Sequence, residues 1–380
     1  MRMATEHEIV EELRRRYRRV AHAVPLAIRL PSGAVEVLGD GTPKATVVVA
    51  DRRGLDAIGS FDMATVADAY LGGSIDAEGE LADILTLRGA LTDRHPLQFA
   101  LRFLSPLLRG QVRSDQSWIA HHYDEDPDFF LAFLDRRHRA YSQGIFVHDD
   151  EPLEDAITRK LDFAVDAVRV APGDRVLDIG AGWGAFTEYG GQRGLRVTSL
   201  TISEESRSYV AGLIAKQELP CEVRREHFFA HRPAQPYDAI VNLGVTEHLP
   251  DYPRTLERYQ SLLKPGGRVY LDASASRKRH RVSTFVEHQL FPGNGHPLVL
   301  ASYVRALANS PLEVEAVHND RVNYLLTTRQ WARNLDASRE TIEQRWGVRR
   351  YRLFRLWLWG CVDGFHRDVI QAYRLVLRAP

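Results

Sequence analysis

The stretch RVLDIGAGWG, Arg175 to Gly184, joins a short apolar run to an acid and three closely spaced glycines. Val176, Leu177 and Ile179 suit a strand buried in a parallel sheet. Gly180, Gly182 and Gly184 let the backbone turn sharply and come close to a ligand. Ala185 to Gln192 reads as the helix that follows. Strand, glycine turn and helix open a βαβ unit, whose ligand belongs at the carboxyl end of the strand. The spacing is GxGxG rather than GxGxxG, and no GKS or GKT follows. Both facts count against a dinucleotide and a nucleoside triphosphate.

Outward from this unit the pattern continues. Val197–Ile202 and Tyr237–Leu243 read as further strands, and Pro265-Gly266-Gly267 as the turn before the strand RVYLDAS. A helix over Leu153–Val168 precedes the central strand. The alternation predicts an α/β fold with a doubly wound, mainly parallel, Rossmann-like sheet. Residues 277–350, opening with RKRHR, interrupt it as a lid insertion. Arg277, Lys278, Arg279 and Arg281 there suit either a phosphate or membrane surface, or a solvated loop. The N-terminal part has another texture. Residues 5–24 place Ile9, Val10, Leu13, Tyr17 and Val20 at helical spacing among arginines, which fits a packed amphipathic helix or a basic face for anionic lipid. Residues 26–52 carry β-branched runs broken by Pro-Ser-Gly and Asp-Gly-Thr-Pro, read as two or three antiparallel strands. The expected organisation is a small α+β domain at 1–95, a helical linker at 96–116 and the main domain at 117–380.

The totals narrow the classes. Lys plus Arg and Asp plus Glu both number 50 in 380 residues, so net charge offers no case for nucleic acid. Two cysteines, Cys221 and Cys361, make neither a disulfide framework nor a metal site by themselves. No metal is expected, and a reducing cytoplasm fits. The charged N-terminus lacks an apolar core and does not read as a signal peptide. No apolar run is long enough for a spanning helix, which leaves open a peripheral position at the inner face of a membrane.

The acid two residues before the first glycine resembles the S-adenosylmethionine loop of class I methyltransferases. Motifs further out are more specific. AYLGGSIDAEGEL (69–81), HYDEDPDFFLAFLD (122–135), YSQGIF (141–146), VLDIGAGWGAF, LTISEES, GVTEHL, LKPGG, FPGNGHP and LFRLWLWGCVDGF follow one another along the chain. Together they resemble the cyclopropane-fatty-acid synthase family, which includes the mycolic acid cyclopropane synthases, from about residue 30 to the end. The resemblance implies alkylation of an unsaturated acyl chain, or another apolar alkene, by S-adenosylmethionine. The π bond would attack the methyl carbon, and proton loss from the resulting cation would close a ring; a hydride shift or water capture would give a branched or hydroxylated product. A C-methyltransferase for a small natural product and a non-catalytic lipid- or cofactor-binding protein are the rival readings. Homo-oligomerisation stays open.

The resemblance also implies roles for residues. Tyr141 and Ser142 would meet the methionine carboxylate, with Asp178 fixing the glycine turn through backbone N–H groups or serving only as a helix N-cap. Gly180, Gly182, Trp183 and Gly184 form the loop. Thr201 would reach the adenosine; Ser206 stands where glutamine is usual; His227 or Phe228 would border the adenine. Glu247 would stabilise the cationic centre, and Tyr324 would line the same pocket. Phe285, Phe291, Trp331, Leu353, Phe354, Leu356, Trp357 and Trp359 are candidate walls for an acyl chain. Cyclopropane-forming relatives hold a bicarbonate base on a cysteine, a glutamate, a histidine, an isoleucine and a tyrosine. Here Gln143 takes the cysteine position, and Asp272 and Ser274 take those of histidine and isoleucine. Bicarbonate is therefore doubtful, and Asp272 could be the base itself, with one of the two carboxylates carrying a raised pKa.

Overall fold

A computed structural model describes residues 4–92, 126–277, 289–290 and 296–380. The expected linker, most of RKRHR, Phe285 and Phe291 lie outside them. The chain divides into two compact units, Met1–Leu101 with Ser283–Leu290 and Ser338–Asp363, and Arg102–Val282 with Phe291–Ala337 and Gly364–Pro380.

The first unit holds a four-stranded sheet in the order β2-β1-β3-β4, with β1 Leu26–Arg29, β2 Val35–Leu38, β3 Ala45–Val49 and β4 Ile75–Glu78. The expectation of antiparallel strands over 26–52 holds for β1 with β2 but not for β1 with β3, which run parallel. Gly39 and Gly41, at φ of 80° and 109°, double the chain back behind β2, so that β3 lands on the far side of β1. Helix Glu6–Tyr17 starts in a reciprocal cap between Thr5 and Glu8 and buries Ile9, Val10, Leu13 and Tyr17. Residues 338–363 join this unit rather than the main one. Arg352, on helix Val348–His366, donates to Tyr70 O at 2.7 Å, Ile75 O at 3.1 Å and Asp76 Oδ2 at 2.8 Å. Leu353, Phe354, Leu356, Trp357 and Trp359 thus belong with the N-terminal unit, where Phe354 meets Trp357 edge-on at 5.6 Å.

The second unit holds a seven-stranded sheet in the order β10-β11-β9-β8-β5-β6-β7. Its strands are β5 Arg175–Ile179, β6 Arg196–Thr201, β7 Glu222–Arg225, β8 Tyr237–Leu243, β9 Leu263–Ala275, β10 Glu313–Asn319 and β11 Gln371–Arg378. β7, β6, β5, β8 and β9 pair in parallel, whereas β11 is antiparallel to both β9 and β10. Val176, Leu177, Ile240 and Val241 have no exposed surface, as helices on both faces of a parallel sheet require. Two boundaries differ from expectation. Pro265-Gly266-Gly267 falls inside the span of β9, where the register shifts between the Tyr237↔Leu263 and Ala239↔Arg268 pairs. β10 falls inside the expected insertion yet forms the edge of the sheet. Its mostly exposed pattern, Glu-Val-Glu-Ala-Val-His-Asn, lacks the apolar run that announces the inner strands.

Candidate active site

The chain leaves β5 towards β6 and β7, then returns on the other side of β5 to β8 and β9. This switch of direction opens a crevice beyond the carboxyl ends of β5 and β8. The two loops there touch. Gly180 has φ of 89°, and a Cβ on it would run into Val245 Cγ2 of the β8 loop. Gly184 has φ of 81°, and a Cβ on it would stand only 2.8 Å from Leu213 Cδ2. Gly182 is different: at φ of 49° its imagined Cβ meets nothing nearer than Gly180 O at 4.0 Å, so the loop is open there. Gly180→Ala combines left-handed strain with overpacking and is expected to cost about 1–3 kcal/mol. A denaturation midpoint equal to wild type would contradict this account of the turn.

The turn is held from β6, not by Asp178. Gly180 N and Ala181 N donate to Leu200 O at 3.0 and 2.8 Å. Ser206 Oγ donates to Gly182 O at 2.7 Å, so this serine clamps the loop. Asp178 is no N-cap either, since helix Ala185–Gln192 starts from Gly184 without a side-chain cap. Its carboxyl is buried, which pushes its pKa up to about 7 against the opposing pull of the Ser199 and Thr187 hydroxyls and the Lys160 charge. Thr201 Oγ1 accepts from Ser203 N at 3.2 Å, at the end of β6. Phe228 is a core side chain packed on Phe229 and Tyr259 at 5.2 and 5.6 Å. His227 Nδ1 accepts from Phe229 N at 3.2 Å.

An aromatic block joins several expected residues. Trp183 is 2% exposed and meets Phe130 and Tyr209 at 5.6 and 5.7 Å between centroids. Tyr141 lies 5.4 Å from Phe130 and 5.5 Å from Trp331. Tyr324 meets Trp331 edge-on at 6.2 Å and stacks on Phe365 at 4.9 Å. Trp331 is therefore part of this packed block.

The carboxylates form two connected groups. Glu247 Oε1 accepts from Ser274 N at 2.7 Å and from Ser274 Oγ at 2.8 Å. Its Oε2 is buried without a hydrogen-bond partner. Burial raises the Glu247 pKa to about 7; the Ser274 bonds lower it and the Asp272 charge adds a smaller upward push. Asp272 is fully buried, and Ser142 Oγ donates to its Oδ2 at 3.3 Å. Lys160, also fully buried, donates from Nζ to Ser142 Oγ at 2.8 Å and lies 3.8 Å from Asp272 Oδ2. Burial pushes both of this pair towards neutrality, and their attraction opposes it. Gln143 Nε2 reaches Asp320 Oδ2 at 3.5 Å, and Arg374 Nε stands 3.6 Å from the same oxygen. Lys160, Asp320 and Arg374 escaped the reading of the sequence. Lys160 had a signal: it interrupts the buried stripe Ala156, Ile157, Leu161, Ala164 of helix Leu153–Val168. Among the described residues no group of three or more His, Cys, Asp or Glu side chains could hold a metal ion.

The family described as mycolic acid cyclopropane synthetase matches residues 111–375. The chain belongs to that family. It is 25% identical over 339 residues to the sphingolipid C9-methyltransferase of Candida albicans, covering 83% of this chain and 65% of that protein. The chain thus spans just under two thirds of that relative's length. A protein of Pseudomonas putida named "Probable fatty acid methyltransferase" is 24% identical over 374 residues, covering 94% of this chain and 92% of its own. Among solved structures, the mycolic acid cyclopropane synthase CmaA1 complexed with SAH and CTAB aligns with a TM-score of 0.63 at 24% identity, over 68% of this chain and 96% of that one. Coclaurine N-methyltransferase reaches the same score, 0.63, at 18% identity over 75% of this chain and 90% of its own. The main unit accordingly has the class I methyltransferase fold, with the predicted doubly wound sheet.

Proposed function

We propose that this family member transfers a methyl group to the double bond of an unsaturated lipid acyl chain. Its cofactor is S-adenosylmethionine, which supplies an electrophilic methyl carbon when bound. The residues fit such a group. Gly182 leaves the turn open where a ligand can approach the backbone, beside the crevice where the β5 and β8 loops meet. Tyr141, Ser142, Asp178, the Gly180–Gly184 turn and Thr201 are the residues proposed to hold it. The observation that carries the reading is Glu247: a carboxyl at the mouth of β8, one oxygen held by Ser274 and the other buried without a partner. Such an oxygen lowers the energy of positive charge developing on a substrate carbon. Tyr324, beside Trp331, is proposed to line the apolar side.

Mass spectrometry of lipids from cells expressing the chain tests this, with NMR to tell a ring from a methyl branch. A gain of one methylene in an acyl chain is expected. Methylation of a polyketide or terpenoid with lipids unchanged would replace the reading by the small-molecule one, and binding without any turnover would leave a cofactor-binding protein. Added bicarbonate is expected to leave kcat unchanged. Gln143, Asp272 and Ser274 replace three of the residues that hold bicarbonate in the family, and a carboxylate at Asp272 repels an anion strongly at low dielectric. Clear stimulation by bicarbonate would sink that expectation.

A further inference from the structure

We propose that Lys160 and Ser142 hold Asp272 as the carboxylate that takes the proton released after methyl transfer. The inference rests on the alkene-alkylating reading above. The three side chains are buried in series, Lys160 Nζ to Ser142 Oγ at 2.8 Å and Ser142 Oγ to Asp272 Oδ2 at 3.3 Å. An ammonium group can only donate, so the Ser142 oxygen accepts from Lys160 and turns its own proton towards Asp272. Oδ2 is thereby engaged, whereas Oδ1 is buried without a hydrogen-bond partner. A buried acceptor left unpaired is costly, and protonation relieves that cost, so Oδ1 is the oxygen suited to take a proton. Asp272 and Ser274 are two apart on β9 and share one face of the sheet. Ser274 is the residue that holds Glu247. The two partnerless carboxyl oxygens, Glu247 Oε2 and Asp272 Oδ1, thus belong to one neighbourhood, and Asp272 adds to the upward push on Glu247.

Other titratable groups neighbour these side chains. Asp320 repels Asp272, Arg374 lies across β11 in register with it, and Tyr270 precedes it on β9. Lys160 also faces Asp135, Asp178 and Asp320. Arg374 sits 3.6 Å from Asp320, which leaves Lys160 as the nearer counter-ion for Asp272 at 3.8 Å.

The chemistry balances without an added reagent. The alkene π pair forms a bond to the methyl carbon, the C–S pair departs with sulfur, and a cation remains on the neighbouring carbon. A C–H bond beside it then breaks. Its electron pair closes a ring or a double bond, and the proton passes to Asp272 Oδ1. Where the acceptor is missing, a water molecule adds to the cation through its oxygen, and the oxonium so formed gives its proton to a second water and leaves an alcohol.

The test compares wild type, Asp272→Asn, Lys160→Met, Lys160→Arg and Ser142→Ala on vesicles of unsaturated phospholipid. It reads the ratio of proton-loss product to alcohol, the pH profile of kcat and S-adenosylmethionine affinity. Asp272→Asn should shift products towards the alcohol. Lys160→Met should raise the Asp272 carboxyl by about one to three units, the effect of removing a close opposite charge, and so carry the acid limb of kcat above the value near 7 that Glu247 sets in wild type, with Lys160→Arg restoring it. Should Lys160→Met fail to fold, Ser142→Ala should give a smaller shift in the same direction. A wild-type product ratio in Asp272→Asn overturns the proposal, as does an unmoved acid limb in Lys160→Met or, in its place, Ser142→Ala. If wild type alkylates no lipid, the functional reading has failed. An infrared titration of the Asp272 carboxyl, which needs no substrate, then decides: an unchanged midpoint in Lys160→Met overturns the counter-ion, and a raised one supports it.

Discussion

Glu247→Gln is expected to lower kcat by about a hundredfold or more while leaving S-adenosylmethionine affinity near wild type. The amide keeps the shape and the Ser274 bonds to Oε1 but removes the negative charge. That charge matters most when a substrate carbon turns cationic, and little in the ground state, so kcat rather than KM carries the loss. The same group predicts a pH profile. With its pKa pushed up to about 7, Glu247 is neutral in acid, and wild-type kcat should rise as pH rises through that value. Stability runs the other way. The folded pKa lies above the ordinary 4.5, so the contribution of Glu247 is fully present below that pH and is lost as pH rises through about 7. Glu247→Gln should remove its share of that slope. Equal loss of turnover and cofactor binding in the variant would contradict the role.

Trp183→Ala should destabilise the main unit by about 3–5 kcal/mol, the usual result of emptying a large buried aromatic site. The indole is 2% exposed between Phe130 and Tyr209, and Phe130 in turn meets Tyr141. Removing it opens a cavity and also loosens the glycine turn that carries it, so S-adenosylmethionine affinity should fall as well. Trp183→Phe, which fills most of the space, should recover most of the stability. Urea unfolding followed by an intrinsic probe outside the block checks this; a loss below about 1 kcal/mol would show that the ring is not part of the core.

Much of this was legible in the chain. The apolar run of β5, the left-handed demands of Gly180, Gly182 and Gly184, and the strand-helix alternation are local signals, and each produced the element it announced. β10 was not legible, because an exposed edge strand carries no apolar run to mark it. Nor was the parallel pairing of β1 with β3, which depends on where the chain crosses rather than on its composition.

The site divides along the same line. The sequence by itself determined the glycine turn, the acid of β5, and Glu247 as the residue after the β8 loop, since short-range motifs and register specify these. Only the tertiary structure decided what those groups touch. Ser206 clamps Gly182 from helix Glu204–Lys216 beyond β6, Ser274 holds Glu247 from the next strand, and Lys160 reaches Asp272 through Ser142 across 112 and 130 residues of chain. Whether a buried acid is paired, and with what, depends on desolvation and on neighbours brought together by the sheet. Neither is encoded in local spacing.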